Sequence, residues 1–242
     1  MPYGVADGTA LHRSGRGGTL ADMTNAEWGA VDRYVVGTLI GDADSDVAQA
    51  NSEAGLPPID VSPAQGKFLY LLALSAGVRR VLEIGTLGGF STLWLARAVG
   101  PQGSVVTLEY DPHHAEVARA NLDRKGVGER VEIRVGAALD TLPGVAEDHG
   151  EPFDLVFIDA DKVNNANYVR WALRLTRPGS VIIVDNVVRR GALADGDPGD
   201  PAVRGAREAL GLLADEPRLE ATVLQTVGSK GWDGFAYAVV TG

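Results

Sequence analysis

Five short apolar runs punctuate the chain between Val81 and Asp185, and stretches with helical apolar spacing separate them. They read V-L-E-I from Val81, S-V-V-T-L-E from Ser104, V-E-I-R-V from Val131, F-D-L-V-F-I-D from Phe153 and S-V-I-I-V-D from Ser180. Strands joined by helical crossovers make an α/β fold with a parallel, doubly wound sheet. A helical segment from about Pro201 to Ala214 and two more strand-like runs, near Leu219–Leu224 and Phe235–Val240, come after these. That last pair could close the sheet in antiparallel fashion.

Ahead of this pattern lie extra helices. From Thr24, read as an N-cap with Glu27 three residues on, the stretch through Gln49 predicts one amphipathic helix with Trp28, Val31, Val35 and Leu39 on one face. It stands outside the main repeat and is a candidate to cover a site or meet a partner subunit. Ser62, Pro63 and Gln65 form a sharper signal, a capping box with proline at the first helical position, and the predicted helix delivers the chain to Val78. Residues 1–22 lack an apolar period and read as a flexible tail, leaving 23–242 as a single domain.

Composition narrows the function. A chain of 242 residues with 45% hydrophobic content can bury the core of one α/β domain. With 32 acidic against 22 basic residues the net charge is −10, which argues against a nucleic-acid surface and favours small-molecule partners. The absence of cysteine rules out disulfides, thiolate metal sites and a cysteine nucleophile. No apolar run approaches the roughly 20 residues that span a bilayer, and no basic-then-apolar leader opens the chain, so a cytoplasmic protein with no membrane partner is expected.

Between the first run and the next helix, Gly85, Gly88 and Gly89 allow a sharp turn and a close backbone approach to a ligand. Glu109 ends the next run, 24 positions after Gly85, where a carboxylate can accept both hydroxyls of a cofactor ribose. A tight connection without ligand, and a solvated strand end, remain the plainer alternatives. The spacing G-x-x-G-G is not G-x-G-x-x-G, and Glu83 just before the turn would repel a phosphate. Both features favour a sulfonium cofactor, S-adenosylmethionine, over a dinucleotide.

The fourth run ends in Asp159-Ala160-Asp161-Lys162 and the fifth in Asp185-Asn186. As neighbouring parallel strands they would meet at the edge where open α/β sheets bind ligands. Two carboxylates and an amide make an all-oxygen set suited to Mg²⁺, with Ca²⁺ or Mn²⁺ also possible, and open positions left for a substrate. The alternative is that the aspartates cap the helices or loops next along the chain. Beside a cation and partly buried, Lys162 would favour its neutral amine and could take a hydroxyl proton; it could equally be a surface lysine paired with Asp161.

Together, S-P-A-Q-G-K-F-L at Ser62, V-L-E-I-G-T-L-G-G-F-S-T at Val81, V-F-I-D-A-D-K at Val156 and V-D-N-V at Val184 resemble the metal-dependent S-adenosylmethionine O-methyltransferases of the caffeoyl-coenzyme A and catechol type. The resemblance runs in order from about Ser62 to the C-terminus. It implies a Rossmann-like methyltransferase fold with an antiparallel C-terminal strand, a metal on Asp159, Asp185 and Asn186, and Lys162 with Asp159 in the catalytic step. It also implies cofactor contacts at Val61, Glu83, Gly85, Thr86, Ser91, Glu109, Ala138 and Asp161, a small aromatic diol as substrate, and a homodimer. The chain departs from the pattern in its first 60 residues and in V-V-R-R-G-A-L after Asn186, where Arg189 and Arg190 either meet an acidic group on the acceptor or stand in solvent. A nicotinamide-dependent oxidoreductase, and a cofactor-binding homologue without turnover, are the competing readings.

Overall fold

The computed structural model describes residues 20–41 and 44–242; of the tail expected over 1–22, residues 1–19 lie outside them and 20–22 belong to the first helix instead. Seven strands form one sheet in the order β3-β2-β1-β4-β5-β7-β6. The strands are β1 (Arg80–Ile84), β2 (Ser104–Glu109), β3 (Val131–Val135), β4 (Phe153–Ile158), β5 (Thr176–Val184), β6 (Leu219–Gly228) and β7 (Gly231–Val240). The first five are parallel, and β7 runs antiparallel to both β5 and β6. This is the doubly wound α/β arrangement that the sequence predicts.

Alternate strand residues feed two apolar layers, as the two-residue period of a strand requires. Leu82, Ile84, Val106 and Leu108 point to the layer shared with α6 (Ala138–Asp148), α7 (Asn165–Leu175) and α9 (Pro201–Asp215). Val81, Val105 and Phe157 point to the layer shared with α3 (Pro63–Ser75) and α4 (Phe90–Val99). Both faces are covered, which is why these strands are apolar almost throughout. Helix α5 (Pro112–Arg124) and a short α8 (Ala192–Asp195) complete the wrapping.

Three details differ from expectation. The single helix predicted from Thr24 to Gln49 is two: α1 (Leu20–Val35) continues as one π-helical stretch to Ile40, and α2 (Ser45–Glu53) comes after it. The break falls between Gly41 and Asp44, both at positive φ, and Thr24 lies inside α1 instead of capping it. The face built on Val31 and Leu39 is not covered; they are 62% and 74% exposed. Strand β5 begins at Thr176, ahead of Ser180, because its register with β4 slips between Phe153 and Leu155 and the extra residues form a bulge. Ser180 ties that bulge down, donating to the Phe153 carbonyl at 2.8 Å and accepting from the Arg177 amide.

The hairpin of β6 and β7 reaches beyond the sheet. Pairing of β7 with β5 stops at Val184↔Ala236, whereas pairing with β6 continues through Leu224↔Phe235 to Gly228↔Gly231. Five residue pairs therefore overhang the strand end that carries Asp185 and Asn186.

Candidate active site

Two cavities open at the carboxyl ends of the parallel strands, of about 790 and 840 Å³. The first begins where β1 turns into α4. Gly85 has φ +101, and a Cβ there would sit 2.1 Å from the Asp159 carbonyl oxygen. Glycine is needed at this position both for the turn and to let the end of β4 come close. Gly88 is tight for another reason: the space its side chain would take is filled by Asn51 of α2.

Glu109 holds this turn from the next strand. Its Oε2 accepts the amides of Thr86 and Leu87 at 3.1 and 2.7 Å, and its Oε1 accepts the Asp111 amide at 3.0 Å. A carboxylate has about four lone-pair sites, so with three taken about one remains for a ligand hydroxyl. Val61, Gly85, Thr86, Ser91, Glu109 and Ala138 all line the first cavity. So does Asp161, which accepts from Asn164 at 2.6 Å and from the Tyr168 hydroxyl.

Glu83 is placed differently. It shares strand parity with Val81, so its side chain enters the layer beneath the turn, is fully buried and does not reach the cavity wall. The hydroxyls of Ser91, Thr92 and Thr107 all donate to it. Burial raises its pKa from an ordinary 4.5 to about 7, against the pull of those three donors and with a further push from the charge of Asp159. Ser91 is therefore the link between Glu83 and the cavity.

The second group stands where the cavities meet. Asp159 and Asn186 line both, Lys162 lines the first and Asp185 the second. Lys162 Nζ donates to Asp159 Oδ1 at 2.7 Å, so its partner is Asp159 and not the Asp161 considered from the sequence. Asp185 is 3% exposed; burial first, then the charge of Asp159, pushes its carboxyl well above the ordinary carboxylate range. Lys162, the Asn186 amide and Gln65 pull in the other direction. Asn186 sits at φ 55, a left-handed conformation that asparagine tolerates better than most residues.

Gln65 is a residue that sequence reasoning under-reads. Its backbone amide donates to Ser62 Oγ at 3.2 Å, as the capping signal predicts, but its side chain turns away from the cap and donates to Asp185 Oδ2 at 2.5 Å. Only the tertiary fold joins two residues 120 positions apart. Tyr110, His114 and Leu139 also line the first cavity, each within a few residues of a predicted contact.

The O-methyltransferase family profile matches residues 45–232. A catechol O-methyltransferase of Mycobacterium tuberculosis is 60% identical over 213 residues, which cover 87% of this chain and 94% of the relative. The chain belongs to the O-methyltransferase family. Another family member, a catechol O-methyltransferase of Niastella koreensis, is 48% identical across 90% of this chain and all of its own. The solved O-methyltransferase of Bacillus cereus in complex with SAH superposes with TM-score 0.87 at 54% identity, covering 89% of this chain and 99% of that one. O-methyltransferases of this family take their methyl group from S-adenosylmethionine, and membership sets aside the nicotinamide alternative. No helix among the described residues is long and apolar enough to cross a membrane.

Proposed function

We propose that this O-methyltransferase acts on a small aromatic vicinal diol, with S-adenosylmethionine in the first cavity, the diol in the second, and a divalent cation, Mg²⁺ by preference, at the seam. The observation that carries the reading is that Asp159 and Asn186 are walls of both cavities, with Lys162 and Asp185 beside them. The names of the Mycobacterium tuberculosis and Niastella koreensis relatives support the diol, and the SAH in the Bacillus cereus structure supports the donor.

The donor set fits a cation. Two carboxylates crowd at adjacent strand ends, and burial together with their mutual repulsion lifts the Asp185 carboxyl far from its ordinary range. A positive ion between them would relieve both penalties, and an all-oxygen set suits a hard divalent ion. Bound there, it would supply Lewis acidity toward the two adjacent oxygens of the acceptor.

The chain's own residues do the rest. Val61, Gly85, Ser91 and Asp161 hold the donor, and Glu109 accepts a ribose hydroxyl. Asp159 holds Lys162 at the seam, where the lysine, as its neutral amine, would accept the acceptor's hydroxyl proton; Asp159, Asp185 and Asn186 would hold the cation beside it. The resulting oxygen attacks the methyl carbon in line as the carbon–sulfur bond pair leaves to sulfur, yielding the methyl ether and S-adenosylhomocysteine. Opposite charges disappear in this step, so alignment must provide much of the acceleration. Glu83 acts from below, through Ser91. A homodimer belongs to the same reading, with the exposed Val31 and Tyr34 of α1 and Leu39 of the π-helical stretch after it as its candidate surface; light scattering at a single chain mass would remove it.

The test is mass spectrometry of products from S-adenosylmethionine with catechols, caffeoyl esters and monophenols, each with Mg²⁺ and with chelator. Methylated diols in the metal arm alone are expected. Monophenol turnover indifferent to chelator would overturn the metal reading, and no product with any acceptor would favour the non-catalytic homologue.

A further inference from the structure

The loop after Asn186 presents two arginines to the acceptor cavity and holds them there. Arg189 and Arg190 both line it, and Arg189 also reaches the donor side of the seam. Their backbones take left-handed angles, φ 54 at each, which bulky side chains adopt only where the surroundings impose it. Those surroundings are visible. Asp233 Oδ1 accepts the amides of Val188 and Arg189 at 3.1 and 3.0 Å and that of Gly234 at 2.9 Å. The next residue, Gly191, lies against the Trp232 ring so closely that a Cβ would come within 2.8 Å of it.

Neither guanidinium has a hydrogen bond or ion pair among the described residues, and all five aspartates lining the cavity have other partners, Asp159 in Lys162 and Asp185 in Gln65. Asp32 accepts the Ser229 amide at 2.7 Å, Asp60 the Asn51 side-chain amide at 2.9 Å, and Asp233 the three backbone amides just named. The one lysine on that wall, Lys230, donates to the Pro58 carbonyl at 3.1 Å. The cavity as a whole carries five carboxylates against Arg189, Arg190 and Lys230, so what marks the pair is two unpartnered guanidinium forks on one wall and not a surplus of positive charge.

We propose that the arginine pair binds an anionic tail on the acceptor, so that the preferred substrate is an aromatic diol bearing a carboxylate or phosphoryl group away from its hydroxyls. Guanidinium forks match the geometry of either anion. The proposal rests on the placement of the acceptor in the second cavity.

Calorimetric binding of 3,4-dihydroxybenzoate, its neutral amide, 3,4-dihydroxybenzylamine and 3,4-dihydroxybenzylphosphonate, with S-adenosylhomocysteine present, separates these cases. Running each with Mg²⁺ and with EDTA removes any contribution from carboxylate on metal. The expected order is an anion at least about tenfold tighter than the amide, the amine weakest, and a preference that collapses toward one in the Arg189→Gln, Arg190→Gln double variant. Whichever anion binds tighter identifies the tail. Equal affinity for acid and amide in the wild type, or a preference that survives the double substitution, overturns the proposal. Because binding is the readout, an enzyme that binds the acids but methylates no diol would sink the acceptor chemistry and leave the arginine site standing.

Discussion

The two cavities, proposed to take the donor and the acceptor, have nearly the same volume, about 790 and 840 Å³, yet they are made of different kinds of chain. The donor cavity is built mostly from strand ends and the turns directly after them, with Ile59, Asp60 and Val61 shared with its neighbour. The acceptor cavity is assembled from the segment before α3, the loop after β5 and the overhanging hairpin. A wall of consecutive motif residues keeps one ligand fixed; a wall of distant pieces can change its ligand without disturbing the first. At the seam Asp159 and Asn186 belong to both cavities, Lys162 to the first alone and Asp185 to the second alone.

The sharpest way to break this division is Asp185→Ala. The residue lines the acceptor side alone, so kcat should fall about 10⁴-fold while calorimetric affinity for S-adenosylmethionine stays within about threefold. An equal fall in donor affinity would show that the cavities are one energetic unit. Lys162→Gln comes next, with kcat reduced about 10³-fold, within the range for loss of a general base, and with little change in donor affinity. Rapid-quench turnover against a binding isotherm checks it.

Gly85→Ala probes the donor wall's stiffness. A side chain at φ +101, pressed against the Asp159 carbonyl, should cost about 3 kcal/mol in urea melts and weaken donor binding as well. A loss of donor affinity without destabilisation would place the glycine's role in ligand contact alone.

Glu83 gives a pH signature beneath the same wall. Its pKa is raised from 4.5 unfolded to about 7 folded, so the native state holds the extra proton between those values. Its contribution to stability is therefore fully present below pH 4.5 and is lost as pH rises through 7, amounting to about 3 kcal/mol. Urea melts at pH 5 and 8 should show the Glu83→Gln variant gaining on the wild type as pH rises; parallel curves would mean that the carboxylate is better solvated by its three hydroxyls than its burial implies. The smallest effect is expected of Glu109→Gln, about 1.5 kcal/mol in donor affinity, since the amide keeps one acceptor for the turn or the ribose but loses the charge.

The same division separates what can be read in the sequence from what cannot. Strands β1 to β4, the C-terminal half of β5 and the glycine turn are local signals, and the shared edge of Asp159, Asp185 and Asn186 comes from them because the parallel neighbours β4 and β5 end together. Glu83 shows a local signal used incompletely: its two-residue parity with Val81, not its nearness to the turn, decides that it points beneath the cavity. Gly41, where the first helical stretch ends, is equally visible, but a continuous apolar period masks it. The bulge at the start of β5 depends on register with Phe153, and the Gln65–Asp185 bond on two elements 120 positions apart. No window of sequence contains either.

The overhang of the β6–β7 hairpin is a cantilever. Its root is fixed by pairing with β5 up to Val184↔Ala236, while its free length, turning at Ser229 and Lys230, carries Leu224, Trp232 and Asp233 over the acceptor cavity. Inserting or deleting residue pairs in that free length would deepen or open the cavity without shifting the strand ends that hold the donor. Diversification of acceptors in a scaffold of this kind can thus proceed by trimming one hairpin, and grafting the tip between homologues is a direct route to exchanging their acceptor range.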